Sequence, residues 1–170
     1  MKNVYLIGMM GSGKTTSGKA LAKLLGLSFI DLDERIVEYA GHSINDIFES
    51  AGEPYFRNIE SELLFRVSSN SDQVLATGGG IVINPSNSAR MRSTGLVIYL
   101  KTTLDVLWER VKGKKDRPLL STSNPRKALE NLYHERVPLY EENSDKVFVT
   151  DQKSPEAVAL EIYRACFEKK

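Results

Sequence analysis

The chain has 170 residues, 23 of them basic and 22 acidic, and 41% are apolar. These values suit one water-soluble globular domain and exclude a low-complexity or membrane-spanning chain. The even charge offers no general attraction to nucleic acid or to a membrane surface, so any anion site must be local.

The first apolar run, residues 4–7, reads as a buried strand and is too short for a signal peptide. A helix is expected over 13–25, a second strand over 28–31 and a helix over 34–40. Ser43 is placed to cap a short helix carrying Ile47 and Phe48, and Pro54 suits a first helical position. The next helix sets Phe56, Ile59, Leu63 and Val67 on one face.

Further strands are expected over 74–77, 96–100 and 146–150, with helices over 103–111 and 126–137. The polar stretch 112–124 reads as a mobile loop. Ser154 and Pro155 open a last helix with Val158, Ile162, Ala165 and Cys166 on its inner face. Cys166, the only cysteine, reads there as a small buried hydrophobe, so no intramolecular disulfide forms. A cytoplasmic protein is the expectation.

Five strands alternating with helices imply an α/β fold: a three-layer αβα sandwich around a five-stranded parallel sheet. The whole of 1–170 reads as one domain. Ligands of such sheets bind beyond the carboxyl ends of the strands.

The segment Gly8-Met9-Met10-Gly11-Ser12-Gly13-Lys14-Thr15 has the P-loop spacing, directly after a strand and before a helix. Its glycines let backbone N–H groups face a phosphate, and the helix start adds a favourable potential. ATP contacts are therefore expected from Gly11, Ser12, Gly13, Lys14, Thr15 and Thr16, with Lys14 also catalytic. Thr15 is expected to ligate one Mg²⁺.

Asp31 and Asp33 follow the second strand and fall on one side if that strand continues through them. One carboxylate suits the magnesium shell. The other suits a proton acceptor for an attacking hydroxyl.

Phe56-Arg57-x-x-Glu60, Gly78-Gly79-Gly80, Asp116-Arg117-Pro118-Leu119-Leu120 and Arg136-x-Pro138-Leu139-Tyr140 complete the set. With the P-loop and Asp-x-Asp they stand in the order, and near the spacing, of the shikimate kinase family, which the chain resembles over almost its full length. The resemblance implies a fold of the P-loop NTPase, nucleoside monophosphate kinase-like kind, and transfer of the γ-phosphate of ATP to the 3-hydroxyl of shikimate, on the route to chorismate and the aromatic amino acids.

It also implies roles. Asp33 is the catalytic base and binds ring hydroxyls, and Asp31 holds Mg²⁺ through water. Arg57 and Arg136 grip the carboxylate, with Glu60 orienting Arg57. Gly78, Gly79 and Gly80 admit the substrate, and Phe48 and Phe56 wall it. The substrate-binding region spans about 31–62 and the lid about 112–124. Within the lid, Arg117 swings over the triphosphate, while Lys112, Lys114 and Lys115 are solvated. Arg110 lies against adenine and Pro155 frames it; Lys153 stands where the family often has arginine.

The expected partners are shikimate and ATP, with no nucleic acid and no membrane, and the expected state is a monomer. The alternatives are another small-molecule P-loop kinase, acting on gluconate or a nucleoside monophosphate, and a non-catalytic kinase-like binding protein. His42 and His134 read as surface polar residues, and Trp108 as a partly buried helix residue.

Overall fold

The computed structural model describes residues 2–168. Among the described residues, five strands form a single parallel sheet: β1 (Asn3–Ile7), β2 (Ser28–Asp31), β3 (Gln73–Ala76), β4 (Gly95–Lys101) and β5 (Lys146–Val149), in the order β2-β3-β1-β4-β5. The described residues also form seven helices: α1 (Lys14–Leu25), α2 (Leu32–Ala40), α3 (Ile44–Val67), α4 (Pro85–Thr94), α5 (Leu104–Val111) and α6 (Pro125–Glu142) between the strands, and α7 (Pro155–Cys166) after the last.

Alternation along β1 sorts its side chains to the two faces. Tyr5 and Ile7 join a core with α3, α5 and α6, whereas Val4 and Leu6 join a second core with α1 and α7. Burial on both faces explains why the strand reads as a continuous apolar run. Because β3 lies beside β1, and β2 beside β3, the segments after these three strands emerge side by side.

Several boundaries differ from expectation. β2 spans Ser28–Asp31 as expected, but α2 begins at Leu32 rather than at 34. Asp31 is the helix N-cap, its Oδ1 accepting from Asp33 N at 3.0 Å and from Glu34 N at 3.4 Å. The aspartate pair is therefore brought together by a helix start rather than by strand alternation.

Helix α3 breaks at Gly52 (φ 82°, ψ 169°), so Pro54 lies in the first turn of its second half. Helix α6 runs on through Pro138 to Glu142. The residues around the carbonyl that Pro138 leaves unbonded, His134 and Pro138 itself, are exposed, so water can take its place.

Helix α4 was not expected. Its sequence is almost wholly polar, with Asn84 capping Ser86 N and Pro85 at the first position. Within 112–124, Pro118–Leu120 form a 3₁₀ turn. Cys166 is only half-buried. His42 and His134 are exposed, and Trp108 is half-buried beneath the Arg126 guanidinium. No helix of the described residues is long and apolar enough to cross a membrane.

Candidate active site

At the carboxyl ends of β1, β2 and β3 the chain encloses a cavity of about 370 Å³. The P-loop forms its floor. Gly11 and Gly13 take φ of 78° and 90°, left-handed values that a side chain would strain. Gly11, Ser12, Gly13, Lys14, Thr15 and Thr16 all line the cavity. Lys14 Nζ donates to Gly8 O and Met9 O, both at 2.8 Å. Burial lowers the Lys14 ammonium to about 8, an effect that Asp33 partly offsets.

Five basic side chains, Lys14, Arg110, Lys114, Arg117 and Lys153, line this cavity in a chain of nearly balanced charge. Such local concentration is what a polyanion needs. Lys114 is exposed, as expected of a solvated side chain, and borders the cavity as well. Arg110 Nη1 donates to Gly11 O at 2.9 Å, tying α5 to the P-loop. Pro155 borders the cavity, and Lys153, which reaches the same wall, pairs with Glu161 at 2.6 Å.

Asp31 Oδ2 accepts a 2.6 Å hydrogen bond from the Thr15 hydroxyl. The two groups face the cavity together. A hydroxyl and one carboxylate are the hard oxygen donors that Mg²⁺ takes when water fills most of its shell, so these residues fit that ion.

A second cavity, of about 70 Å³, opens beside the first. Phe48 and Phe56, their ring centroids 4.8 Å apart, form its apolar wall. Arg57, Glu60, Gly78, Gly79, Gly80 and Arg136 supply the rest, together with Ile44, Pro118 and Leu119. Met10, Asp33, Gly79 and Arg117 line both cavities and form the wall between them.

Each charged group here is held without being exhausted. Arg57 Nη1 donates to Glu60 at 2.9 Å, and its Nη2 donates to Glu53 at 3.1 Å. Glu60 is 1% exposed, and burial pushes its carboxyl up while Arg57 pulls it down. Arg136 is 2% exposed, makes no ion pair among the described residues, and leaves Nε without a partner. Buried charges at this depth are normally paired, so two cationic side chains facing a small cavity mark a place for an anion.

Asp33 Oδ1 and Arg117 Nε are also buried without hydrogen-bond partners among the described residues. Burial raises the Asp33 pKa, and the nearby Asp31 charge adds to the shift. An up-shifted carboxylate in a cleft has the character of a general base.

The glycine triplet acts through space rather than through backbone angle. A Cβ on Gly78 would stand 2.5 Å from Glu60 Oε1, and one on Gly80 would overlap the Arg57 guanidinium. The sequence suggested room for the substrate; the structure shows room for the side chains that flank it. Tyr140 anchors the same loop by donating to Gly79 O.

Every site residue expected from the sequence lines one of the two cavities. Met10, Ser17, Ile44, Thr77, Leu119, Thr150 and Val158 line them without having been expected to. All but Met10 lie outside the recognised motifs or in their apolar positions, where nothing distinguishes a wall from a core residue.

The family model for shikimate kinases matches residues 10–167. A shikimate kinase of Actinobacillus pleuropneumoniae is 46% identical over 161 residues, covering 95% of this chain and 93% of the relative. One of Caldanaerobacter subterraneus is 42% identical, covering 100% of this chain and 99% of the relative. The solved structure of the Acinetobacter baumannii shikimate kinase in complex with shikimate superposes with a TM-score of 0.95 at 39% identity, covering 97% of this chain and 92% of that one.

Proposed function

The chain belongs to the shikimate kinase family, and from that premise we propose that it transfers the γ-phosphate of ATP to the 3-hydroxyl of shikimate, a step toward the aromatic amino acids. The observation that carries this reading is the shared wall: Asp33 and Arg117 line both the phosphate cavity and the smaller one. A phosphoryl group and an acceptor hydroxyl can meet only there.

The larger cavity takes ATP. Lys14 and the P-loop N–H groups hold the β- and γ-phosphates, and Arg110 and Pro155 border the adenine end. Thr15 and Asp31 would hold one Mg²⁺. When bound, the ion would supply positive charge that offsets the charge developing on the phosphate oxygens.

The smaller cavity takes shikimate. Arg57 and Arg136 grip its carboxylate, Glu60 keeps Arg57 in place, and Phe48 and Phe56 cover the ring. Gly78, Gly79 and Gly80 let these groups close in. Asp33 accepts the proton of the 3-hydroxyl as its oxygen attacks the γ-phosphorus. The bond from that phosphorus to the β,γ-bridging oxygen breaks, and ADP leaves with the electron pair. Arg117 lies over the transferring group and offsets its spreading negative charge, a contribution of about 10³–10⁵ in rate where such arginines have been studied.

Segment 112–124 acts as the lid that brings Arg117 into place and excludes water, which would otherwise accept the phosphoryl group. All these groups come from one chain, which supports a monomer as the working unit. A dependence on ATP and the presence of one cysteine support a cytoplasmic setting.

An ADP-release assay with shikimate, gluconate and nucleoside monophosphates tests the reading. Shikimate-dependent turnover, at least about a hundredfold above that with the other acceptors, is expected. ADP release that ignores shikimate would overturn it.

A further inference from the structure

The segment that carries Arg117 is bonded mainly to itself and to the helices it joins. Leu120 N donates to Arg117 O at 3.0 Å, and Ser121 N to Pro118 O at 3.1 Å. One bond leaves it. Asn45 Nδ2 donates to Lys115 O at 2.9 Å, across 70 residues of sequence. Among the described residues this is the only hydrogen bond between 112–124 and an element other than α5 or α6.

Asn45 stands in the first turn of α3, and that turn is fixed. Ser43 and Asp46 form a reciprocal capping box, with Asp46 N donating to Ser43 Oγ at 3.1 Å and Ser43 N to Asp46 Oδ2 at 3.3 Å. The preceding residue, Ile44, lines the smaller cavity, as does Phe48 one turn on. An outer groove of about 500 Å³ adjoins that cavity and shares Asp33, Ile44, Asp116 and Arg117 with it. Asn45 lies on the rim of this groove.

One helical turn therefore touches the acceptor site through Ile44 and holds, through Asn45, the backbone two residues before Arg117. Both Asn45 and Lys115 are exposed, and an exposed hydrogen bond adds little to global stability. Its effect falls on where the segment sits.

Resting on the reading of the two cavities as nucleotide and acceptor sites, we propose that Asn45 is a positioning residue. Its side chain latches segment 112–124 to the acceptor-binding helix, so that filling the acceptor site favours the seating of Arg117 over the phosphate cavity. The coupling is reciprocal: nucleotide that draws the segment down also steadies the acceptor wall.

The test uses Asn45→Asp and Asn45→Ala in the full chain. Aspartate keeps the shape, loses the donor and sets an acceptor against the Lys115 carbonyl. It also favours a helix start, so folding is not at stake. The readouts are kcat, melting temperature and the dissociation constant of ADP with and without saturating shikimate, an unreactive pair.

Both variants are expected to lower kcat about three- to tenfold, the worth of one net hydrogen bond. They should bring the shikimate-induced tightening of ADP toward one, with ADP binding alone and melting temperature unchanged. Wild-type kcat and tightening in Asn45→Asp, or a wild-type protein that shows no tightening, would overturn the latch. Losses that track a lowered melting temperature would overturn it too. A wild-type protein without shikimate-dependent turnover would overturn the functional reading and the latch together.

Discussion

Gly78 and Glu60 compete for one place: a Cβ at residue 78 would lie 2.5 Å from Glu60 Oε1 and 3.2 Å from Asp33 Oδ1. Glu60 cannot retreat easily, being buried and bonded to Arg57. Gly78→Ala should therefore raise the shikimate KM at least about tenfold and cost about 1–3 kcal/mol of stability, with the ATP KM little changed. Chemical denaturation of Gly78→Ala alone and combined with Glu60→Ala checks the cause. The alanine at 78 should cost less in the double variant, because the colliding group is gone.

Arg136 is a buried cation with no ion pair among the described residues. Such a group costs stability in the free protein and is retained for what it binds. Arg136→Met should raise the shikimate KM about ten- to hundredfold, the worth of a charge-assisted bond, while leaving the melting temperature of the free protein equal or higher. Steady-state kinetics and thermal unfolding together check it. A large loss of stability with an unchanged KM would contradict the assignment.

The Asp33 carboxyl is raised above its ordinary value of 3.8, first by burial and then by Asp31. Catalysis needs the ionised form, so the acid limb of kcat/KM, which reports the free enzyme, should lie above that ordinary value. The stability sign is opposite. The folded state keeps its proton longer than the unfolded chain, so this group's contribution is largest at low pH and is lost as pH rises through the folded pKa. Asp33→Asn should lower kcat about 10²–10⁴-fold, with ADP affinity nearly unchanged, and should abolish the limb. Glu60, also raised, is the competing source; a limb that persists in Asp33→Asn and vanishes in Glu60→Gln would assign it there.

Lys14 titrates near 8 rather than at 10.5. The folded protein therefore binds fewer protons than the unfolded chain between these values, and its stability should rise with pH across that window. A bound polyphosphate favours the ammonium. Nucleotide binding should then take up a proton above pH 8, and the ADP dissociation constant should weaken by up to about tenfold per pH unit there. Titration calorimetry in buffers of different ionisation enthalpy checks the uptake, and Lys14→Met should remove it.

The parts of this fold that were legible in the sequence are those where chemistry and backbone demand the same residues. The P-loop needs glycine at Gly11 and Gly13 for backbone angle and lysine for phosphate, so its spacing is specific. Asp31-Leu32-Asp33 was ambiguous because a strand end and a helix cap both accept aspartate. Helix α4 was hidden because its one deeply buried apolar residue, Met91, gives no periodicity. Helix α6 outruns its expected end because Pro138, an ordinary stop signal, is overridden here on an exposed face. Lys114 and Asn45 carried no signal, since their importance lies in what the loop folds against.

A structure of the chain with shikimate and a non-hydrolysable ATP analogue tests the two-cavity account most directly. The account predicts the shikimate carboxylate on Arg57 and Arg136, and the 3-hydroxyl about 2.6–3.2 Å from Asp33, facing the γ-phosphate beneath Arg117. A carboxylate bound away from both arginines, or a 3-hydroxyl turned from Asp33, would contradict it.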